Sequence, residues 1–195
     1  ISAIMNVRLF TESLNEFHNK YPNVTYEVIE GGGKAVESYL NSDEIDVGIT
    51  TLPVDDDIYH AVPLYNEKLL LVVDKNAKLA KQSSVYLGDL KSEKFIMFHD
   101  DYYLKDQIIE SCRKVGFHPK TVAKMSQITF IENMIRDGIG VSILPESIVR
   151  ILNDGVVGIE ITGADAAWNL GLVWKKDSYM NHVTHEWIQF LTEYK

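Results

Sequence analysis

The sequence of 195 residues predicts an α/β fold. Amphipathic helical patterns alternate with short apolar runs along most of the chain, and glycine or proline separates many of them. The stretch MIRDGIGVSILPES (134–147) shows this alternation on a small scale, because its pattern is that of a helix end, a glycine turn, a buried strand and a new helix. Helices that alternate with buried strands are typical of a sheet covered by helices.

The first quarter of the chain predicts the order helix, strand, helix, strand. Apolar side chains at helical spacing predict a helix over 4–21, and the alternating VTYEVIE predicts a strand over 24–30. Three glycines (31–33) end that strand, a helix follows over 34–41, and EIDVGIT (44–50) has the pattern of a buried strand. This order favours a parallel sheet with right-handed crossovers.

The rest of the chain continues the alternation. Predicted strands lie at 67–74, 94–98, 121–125, 139–144, 156–161 and 169–176, and predicted helices at 104–116, 126–138 and 182–194. Ser126 suits the N-cap of its helix, Gly138 suits a left-handed C-cap, and Pro145 suits the first position of a further helix. Cys112 falls on the apolar stripe of its helix, so we expect it in the core.

Composition excludes several classes of function. The net charge of −9 argues against direct binding of nucleic acid by this chain, because no excess of cations is present to neutralise phosphates. A single cysteine fits a reducing, cytoplasmic compartment, and no apolar run is long enough to cross a membrane. Because the chain begins at Ile1 instead of Met, we expect it to be a fragment of a longer protein.

No constellation of catalytic or metal-ligating residues is visible. GVSIL (140–144) is not a nucleophile elbow, and His182 and His185 have helical spacing but lack a third ligand or an HExxH motif. We therefore expect no enzyme activity, no metal and no cofactor.

Five segments in register resemble the effector-binding domain of LysR-type transcriptional regulators. They are FHNKYPNVTYEVIEGG (17–32), DEIDVGIT (43–50), LYNEKLLLVV (64–73), IIESCRKVGFHPK (108–120) and MIRDGIGVSILP (134–145). The resemblance implies two Rossmann-like lobes of the type 2 periplasmic-binding-protein fold with a ligand cleft between them. Lobe I would comprise 1–68 and 172–195, and lobe II 69–171. The family's first strand and its DNA-binding winged helix-turn-helix would lie before Ile1.

The first group of candidate ligand-binding residues lies in the predicted lobe I. The hydroxyl of Ser2 and the amides that follow it, that of Ala3 first, could hold a carboxylate at a helix N-terminus, although an ordinary N-cap is the alternative. Gly33 precedes a second predicted helix and Lys34 opens it. The Gly33 amide and the Lys34 side chain therefore lie at a helix N-terminus, where an anion is also favoured. Thr50 and Thr51 end a strand, and ligands in α/β sheets lie beyond such ends.

The second group lies in the predicted lobe II. Ser126, Gln127 and Thr129 follow a predicted strand and open a helix, so they are the counterpart of Ser2 in the other lobe. His99 also follows a strand, but the neighbouring Asp100 and Asp101 disfavour an anion there. Four cations could supply charge, although the sequence does not place them at a site: Lys34, Lys68, Lys124 and Arg136.

These features predict a sensor that binds a small metabolite, most simply a carboxylate. The resemblance further implies a homodimer in which the helix at about 4–21 packs antiparallel against the partner's helix at about 104–115, and a tetramer only in the full-length protein. DNA would be bound through the missing N-terminal domain, with no membrane involved. An extracytoplasmic solute-binding protein of a transporter is the alternative.

Overall fold

The structure is a computed structural model in which residues 1–2, 4–5 and 7–194 are described. The chain divides into two units, Ile1–Asn66 with Asn169–Lys195 (unit 1) and Glu67–Trp168 (unit 2). The helices are α1 (Val7–Lys20), α2 (Gly33–Asn41), α3 (Tyr103–Lys114), α4 (Ile128–Arg136), α5 (Glu146–Val149) and α6 (His182–Glu193). The strands are β1 (Gly48–Thr51), β2 (Tyr59–Asp74), β3 (Ser84–Tyr86), β4 (Lys94–Met97), β5 (Lys120–Lys124), β6 (Ser142–Pro145), β7 (Val156–Thr162) and β8 (Ala167–Lys175).

Unit 1 is held together by helices packed on one another and on a short antiparallel strand pair. β1 pairs with β8 from Gly48↔Val173 to Thr51↔Leu170. Beside β1, the buried side chains of Val36 and Leu40 in α2 belong to the same apolar cluster as Val173. Between α1 and α6, the ring of Phe17 is fully buried, 4.9 Å from that of Trp187 in an edge-on contact.

Unit 2 contains two groups of paired strands. β2 pairs antiparallel with β6 and β7, and β7 pairs parallel with β3. Separately, β4 and β5 run parallel, so their carboxyl ends lie at the same edge. Apolar side chains from α3, α4 and β4 are buried in this unit: Leu104, Ile108, Cys112, Ile131, Ile135, Phe95 and Ile96.

Gly138 and Gly140, the two glycines of DGIGVS (137–142), are required for different structural reasons. Gly138 follows α4 with a φ of +71°, a left-handed conformation that glycine adopts without strain. Gly140 passes so close to β4 that a Cβ atom there would lie 2.5 Å from the carbonyl oxygen of Lys94. That same oxygen accepts the amide hydrogen of Val141 at 2.8 Å. The predicted C-cap at Gly138 is therefore confirmed, and Gly140 allows the chain to return alongside β4.

The prediction of a strand over 24–30 is wrong, and so is the parallel sheet expected for the first quarter of the chain. Residues 24–30 form no strand, because along this segment the described residues supply no neighbouring strand to pair with. At its start the Val24 amide donates to the Tyr21 carbonyl at 3.0 Å, and near its end the amino group of Ile1 donates to the Ile29 carbonyl at 2.6 Å. The amide of Gly31, just beyond the segment, donates to the Ile1 carbonyl. β1 has its ladder with β8, which runs antiparallel to it and comes from the far end of the chain.

Two predicted helix starts are each wrong by one residue. The amides of Phe130 and Ile131 both donate to the Gln127 carbonyl, so Gln127 and not Ser126 is the N-cap of α4. Pro145 does not open a helix as its first residue. It is the last residue of β6, paired with Leu69, and it occupies the N-cap position of α5.

Candidate functional site

Three chain segments of unit 1 meet beside the end of β1. The Ser2 amide donates to the Ile49 carbonyl at 3.0 Å, which ties the start of the chain to this strand. Ser2 also forms a parallel bridge with Gly31, in the loop that leads into α2. The structure therefore brings Ser2, the glycine loop and the end of β1 together, as the sequence predicts for neighbouring strand ends. Ala3 lies outside the described residues.

Two of these hydroxyl residues are buried. Ser2 and Thr50 are both almost completely removed from the surface, whereas Lys34 and Thr51 are partly exposed. The Oγ1 atom of Thr50 has no hydrogen-bond partner among the described residues. A buried hydroxyl without a partner is unfavourable by about 1–3 kcal/mol, so such a group calls for an explanation.

The first turn of α2 favours an anion. Gly32 occupies its N-cap position and has no side chain to accept hydrogen bonds from the first turn. Gly33, the first residue of α2, is buried, and Lys34 follows it. The first turn contains no acidic residue, so its partial positive charge is not offset there by a carboxylate. Backbone donors, one lysine and two buried hydroxyls are the groups that a carboxylate requires.

The candidate residues of unit 2 surround the paired ends of β4 and β5. Met97 and Lys124 are register partners, and the Met125 amide donates to the Met97 carbonyl at 2.8 Å. The residues that follow these strands therefore lie at one edge, which includes both His99 and Ser126. His99, Gln127 and Thr129 are exposed, and Ser126 is partly exposed.

An ion-pair cluster lies at this edge that the sequence prediction missed. Oδ1 of Asp100 lies 2.7 Å from Nζ of Lys105 and 2.8 Å from Nζ of Lys124. The hydrogen bonds from Lys105 and then Lys124 lower the pKa of Asp100 to about 2. The expectation that Asp100 and Asp101 disfavour an anion beside His99 stays a prediction, to which the structure adds two lysines that contact Asp100. Lys105 gave no signal in the sequence, because its position depends on where the first turn of α3 is placed.

Unit 1 contains two cavities, and the first is lined by Ile1 and Ile49, the neighbours of Ser2 and Thr50 in the chain. This cavity, of about 620 Å³, is also lined by α1, α6, the unpaired segment 24–29 and residues 44–49. Another of about 700 Å³ is lined mainly by residues 52–66. Neither is lined by Ser2, Lys34 or Thr50. The first cavity runs beside the backbone that was predicted to be a strand.

Cys112 is buried, as predicted, and burial raises the pKa of its thiol to about 11. Across the described residues, no group of three or more His, Cys, Asp or Glu side chains is arranged to hold a metal ion. Within the same residues, no helix has both the length and the apolar character needed to span a bilayer.

Comparison with known proteins assigns the family. The model of the LysR substrate binding domain family matches residues 1–195. The chain is 33% identical over 186 residues to the uncharacterized HTH-type transcriptional regulator YwbI of Bacillus subtilis (strain 168), a match that covers 95% of this chain and 62% of that protein. The chain thus spans less than two thirds of the length of this relative.

Solved structures match the fold. The effector binding domain of QuiR in complex with shikimate superposes with a TM-score of 0.84 at 21% identity, covering 95% of this chain and 89% of that one. The regulatory domain of CcmR from Synechocystis PCC6803 in complex with 2-PG gives a TM-score of 0.88 at 16% identity, covering 98% and 93%. These matches confirm the predicted α/β fold of the type 2 periplasmic-binding-protein class. The chain belongs to the LysR substrate binding domain family.

Proposed function

We propose that this chain is the effector-sensing part of a bacterial LysR-type transcriptional regulator, and that its effector is a small anionic metabolite. We infer the anion site mainly from the buried Oγ1 atom of Thr50, which has no hydrogen-bond partner among the described residues. It lies at the end of β1, one residue beyond the carbonyl that accepts the Ser2 amide. A ligand oxygen that accepts from this hydroxyl would remove the desolvation penalty.

The charge distribution supports an anion over a cation or a purely apolar ligand. The chain as a whole carries a net charge of −9, so its long-range field does not attract anions. The donors must therefore act locally, and the first turn of α2 with Lys34 provides both amides and a positive charge. A carboxylate is the simplest ligand group that fits amides, hydroxyls and one lysine.

We assign the second set, His99, Ser126, Gln127 and Thr129, to the binding of polar groups of a small ligand by unit 2. The last three of these residues lie at the start of α4: Ser126 and Gln127 precede it, and Thr129 is in its first turn. Their hydroxyl and amide groups could bind hydroxyl or carbonyl groups of a ligand. The two solved relatives named above hold shikimate and 2-PG, respectively, which supports a small polar ligand in this family.

The proposal for the whole protein extends beyond this chain. Binding of the effector would shift an equilibrium between two states of the domain, by no more than the ligand's difference in affinity for them. An N-terminal DNA-binding domain would read that shift in the cytoplasm. The transporter alternative is disfavoured, because the relative that shares 33% identity with the chain is an HTH-type transcriptional regulator.

We further propose a homodimer in which α1 of one subunit packs antiparallel against α3 of its partner, with a tetramer in the full-length protein. Both helices are present with bounds close to the predicted ones, Val7–Lys20 and Tyr103–Lys114. Sedimentation velocity of this chain tests the dimer, and a monomer at all concentrations would contradict it.

Melting temperatures in the presence of small carboxylates and neutral metabolites test the proposed function. A ligand at about 100 times its Kd stabilises the folded state by about 2.7 kcal/mol. The Ser2→Ala variant should bind the effector about tenfold more weakly, since a hydrogen bond to a charged group contributes about 1.5 kcal/mol. Ser42→Ala is the matched control, because Ser42 lies at the opposite end of α2. Equal loss in both variants would contradict the assignment.

A further inference from the structure

Two lysines of unit 2 converge on one carboxylate oxygen. Nζ of Lys105 and Nζ of Lys124 lie 2.7 and 2.8 Å from the same Oδ1 atom of Asp100. The three residues come from different places in the chain: Asp100 follows β4, Lys105 is in the first turn of α3, and Lys124 ends β5. The side chain of Lys105 is only 18% exposed, so its ammonium is held in place by its surroundings.

Without Asp100, this arrangement would be a receptor for an anion. Two ammonium groups that both reach a single oxygen repel each other at close range unless an anion lies between them. Lys105 also lies in the first turn of a helix, where the helix dipole favours an anion, and Asp106 of the same turn supplies one carboxylate there. The position between the lysines is therefore one that a carboxylate or a phosphate would fill, and the chain's own Asp100 fills it.

The cluster adjoins the second set of candidate ligand-binding residues. Lys124 is two residues before Ser126, and Asp100 is next to His99. Asp100 has a side chain that is 69% exposed, so it faces solvent as well as the lysines. A ligand group that arrives at this edge therefore meets two lysines whose ammonium groups already share one carboxylate oxygen.

We propose that Asp100 determines which effectors the unit 2 set accepts: by occupying the position between Lys105 and Lys124, it admits an uncharged polar group and rejects a second anion. The inference rests on the proposed function, because it concerns the part of the effector that contacts His99 and Ser126. The ligand group that the unit 2 set prefers is then a hydroxyl, carbonyl or amide group and not a carboxylate or a phosphate.

Removal of the Asp100 charge tests this role without knowledge of the natural effector. The Asp100→Asn variant should bind inorganic phosphate, with a rise in melting temperature of about 3 °C over sodium chloride at equal ionic strength. The unchanged chain should show a smaller response. Asp154→Asn, which removes one exposed carboxylate elsewhere in unit 2, is the matched control and should behave like the unchanged chain. Adding Lys124→Gln to Asp100→Asn should abolish the gain.

Matched ligand pairs test the resulting specificity. The pairs are 4-hydroxybutyrate against succinate and 4-(hydroxymethyl)benzoate against terephthalate, which differ in a terminal hydroxyl or carboxylate. The unchanged chain should favour the hydroxy acid of a pair that binds, and Asp100→Asn should shift that preference about tenfold toward the diacid.

The outcomes separate the two proposals. A phosphate response of Asp100→Asn no larger than that of the unchanged chain would overturn the role of Asp100. A phosphate response of the unchanged chain that is lost in Lys124→Gln would also overturn the role of Asp100, because phosphate would then displace Asp100 from the lysines freely. A phosphate gain in Asp100→Asn with no carboxylate binding to any variant would uphold the role of Asp100 and count against the proposed function.

Discussion

Replacing Thr50 by valine should stabilise the ligand-free domain and weaken effector binding at the same time. The Thr50 side chain is fully buried, and its Oγ1 has no hydrogen-bond partner among the described residues. Valine has nearly the same shape, is equally suited to a strand and has no polar atom to desolvate. Because an unsatisfied buried hydroxyl is unfavourable by about 1–3 kcal/mol, we expect a gain of about 1–2 kcal/mol. For a chain of this length, that gain raises the melting temperature by about 2–8 °C.

Urea unfolding followed by circular dichroism measures this change in the absence of ligand. Ser147→Ala is the matched control, because the Ser147 hydroxyl is also buried without a partner among the described residues but lies in α5, outside both candidate sets. Both variants should gain stability, and only Thr50→Val should lose the stabilisation given by an effector. A loss of more than about 1 kcal/mol in Thr50→Val would show that its hydroxyl is satisfied in the folded protein. An unchanged ligand response would remove Thr50 from the site.

Three other predictions follow from the fold. Cys112, buried and with its pKa raised to about 11, should react with a thiol reagent at neutral pH only after unfolding, and rapid labelling of the native chain would contradict its burial. Gly138→Ala should lower the free energy of unfolding by about 1 kcal/mol, because alanine is strained in the left-handed conformation. Gly140→Ala should lower it by about 3 kcal/mol, because its Cβ would meet the Lys94 carbonyl. Urea unfolding that reverses this order would refute the structural roles given to the two glycines. The amides of residues 25–30 should exchange with deuterium much faster than those of β1, since no strand ladder protects them in the described chain, and equal protection would refute the unpaired state.

Local patterns predicted most helices and several strands, because their causes are local. The bounds of α3, β4 and β5 lie within one or two residues of the predicted ones, and the left-handed Gly138 follows from the helix pattern before it. Pairing was less predictable. Whether 24–30 becomes a strand depends on a neighbour and not on its own alternation, and β1 finds its partner more than a hundred residues later in the chain.

The candidate site shows the same division. Residues that follow parallel neighbouring strands must lie at one edge, so the proximity of His99 and Ser126 could be expected once β4 and β5 were recognised as neighbours. The pairing of Asp100 with two lysines could not be expected, because it depends on the reach of Lys105 from α3 to Asp100. Likewise, nothing in the sequence shows that Thr50 Oγ1 lacks a partner, since burial and hydrogen bonding appear only in three dimensions.

Whether an anion binds at the end of β1 is decided by calorimetric titration with the carboxylate that raises the melting temperature most, carried out on the unchanged, Ser2→Ala and Thr50→Val chains. We expect one tight binding event in the unchanged chain and a loss of about tenfold in affinity in each variant. Binding that is unaffected by both substitutions would place the anion elsewhere and contradict the site assigned to the end of β1.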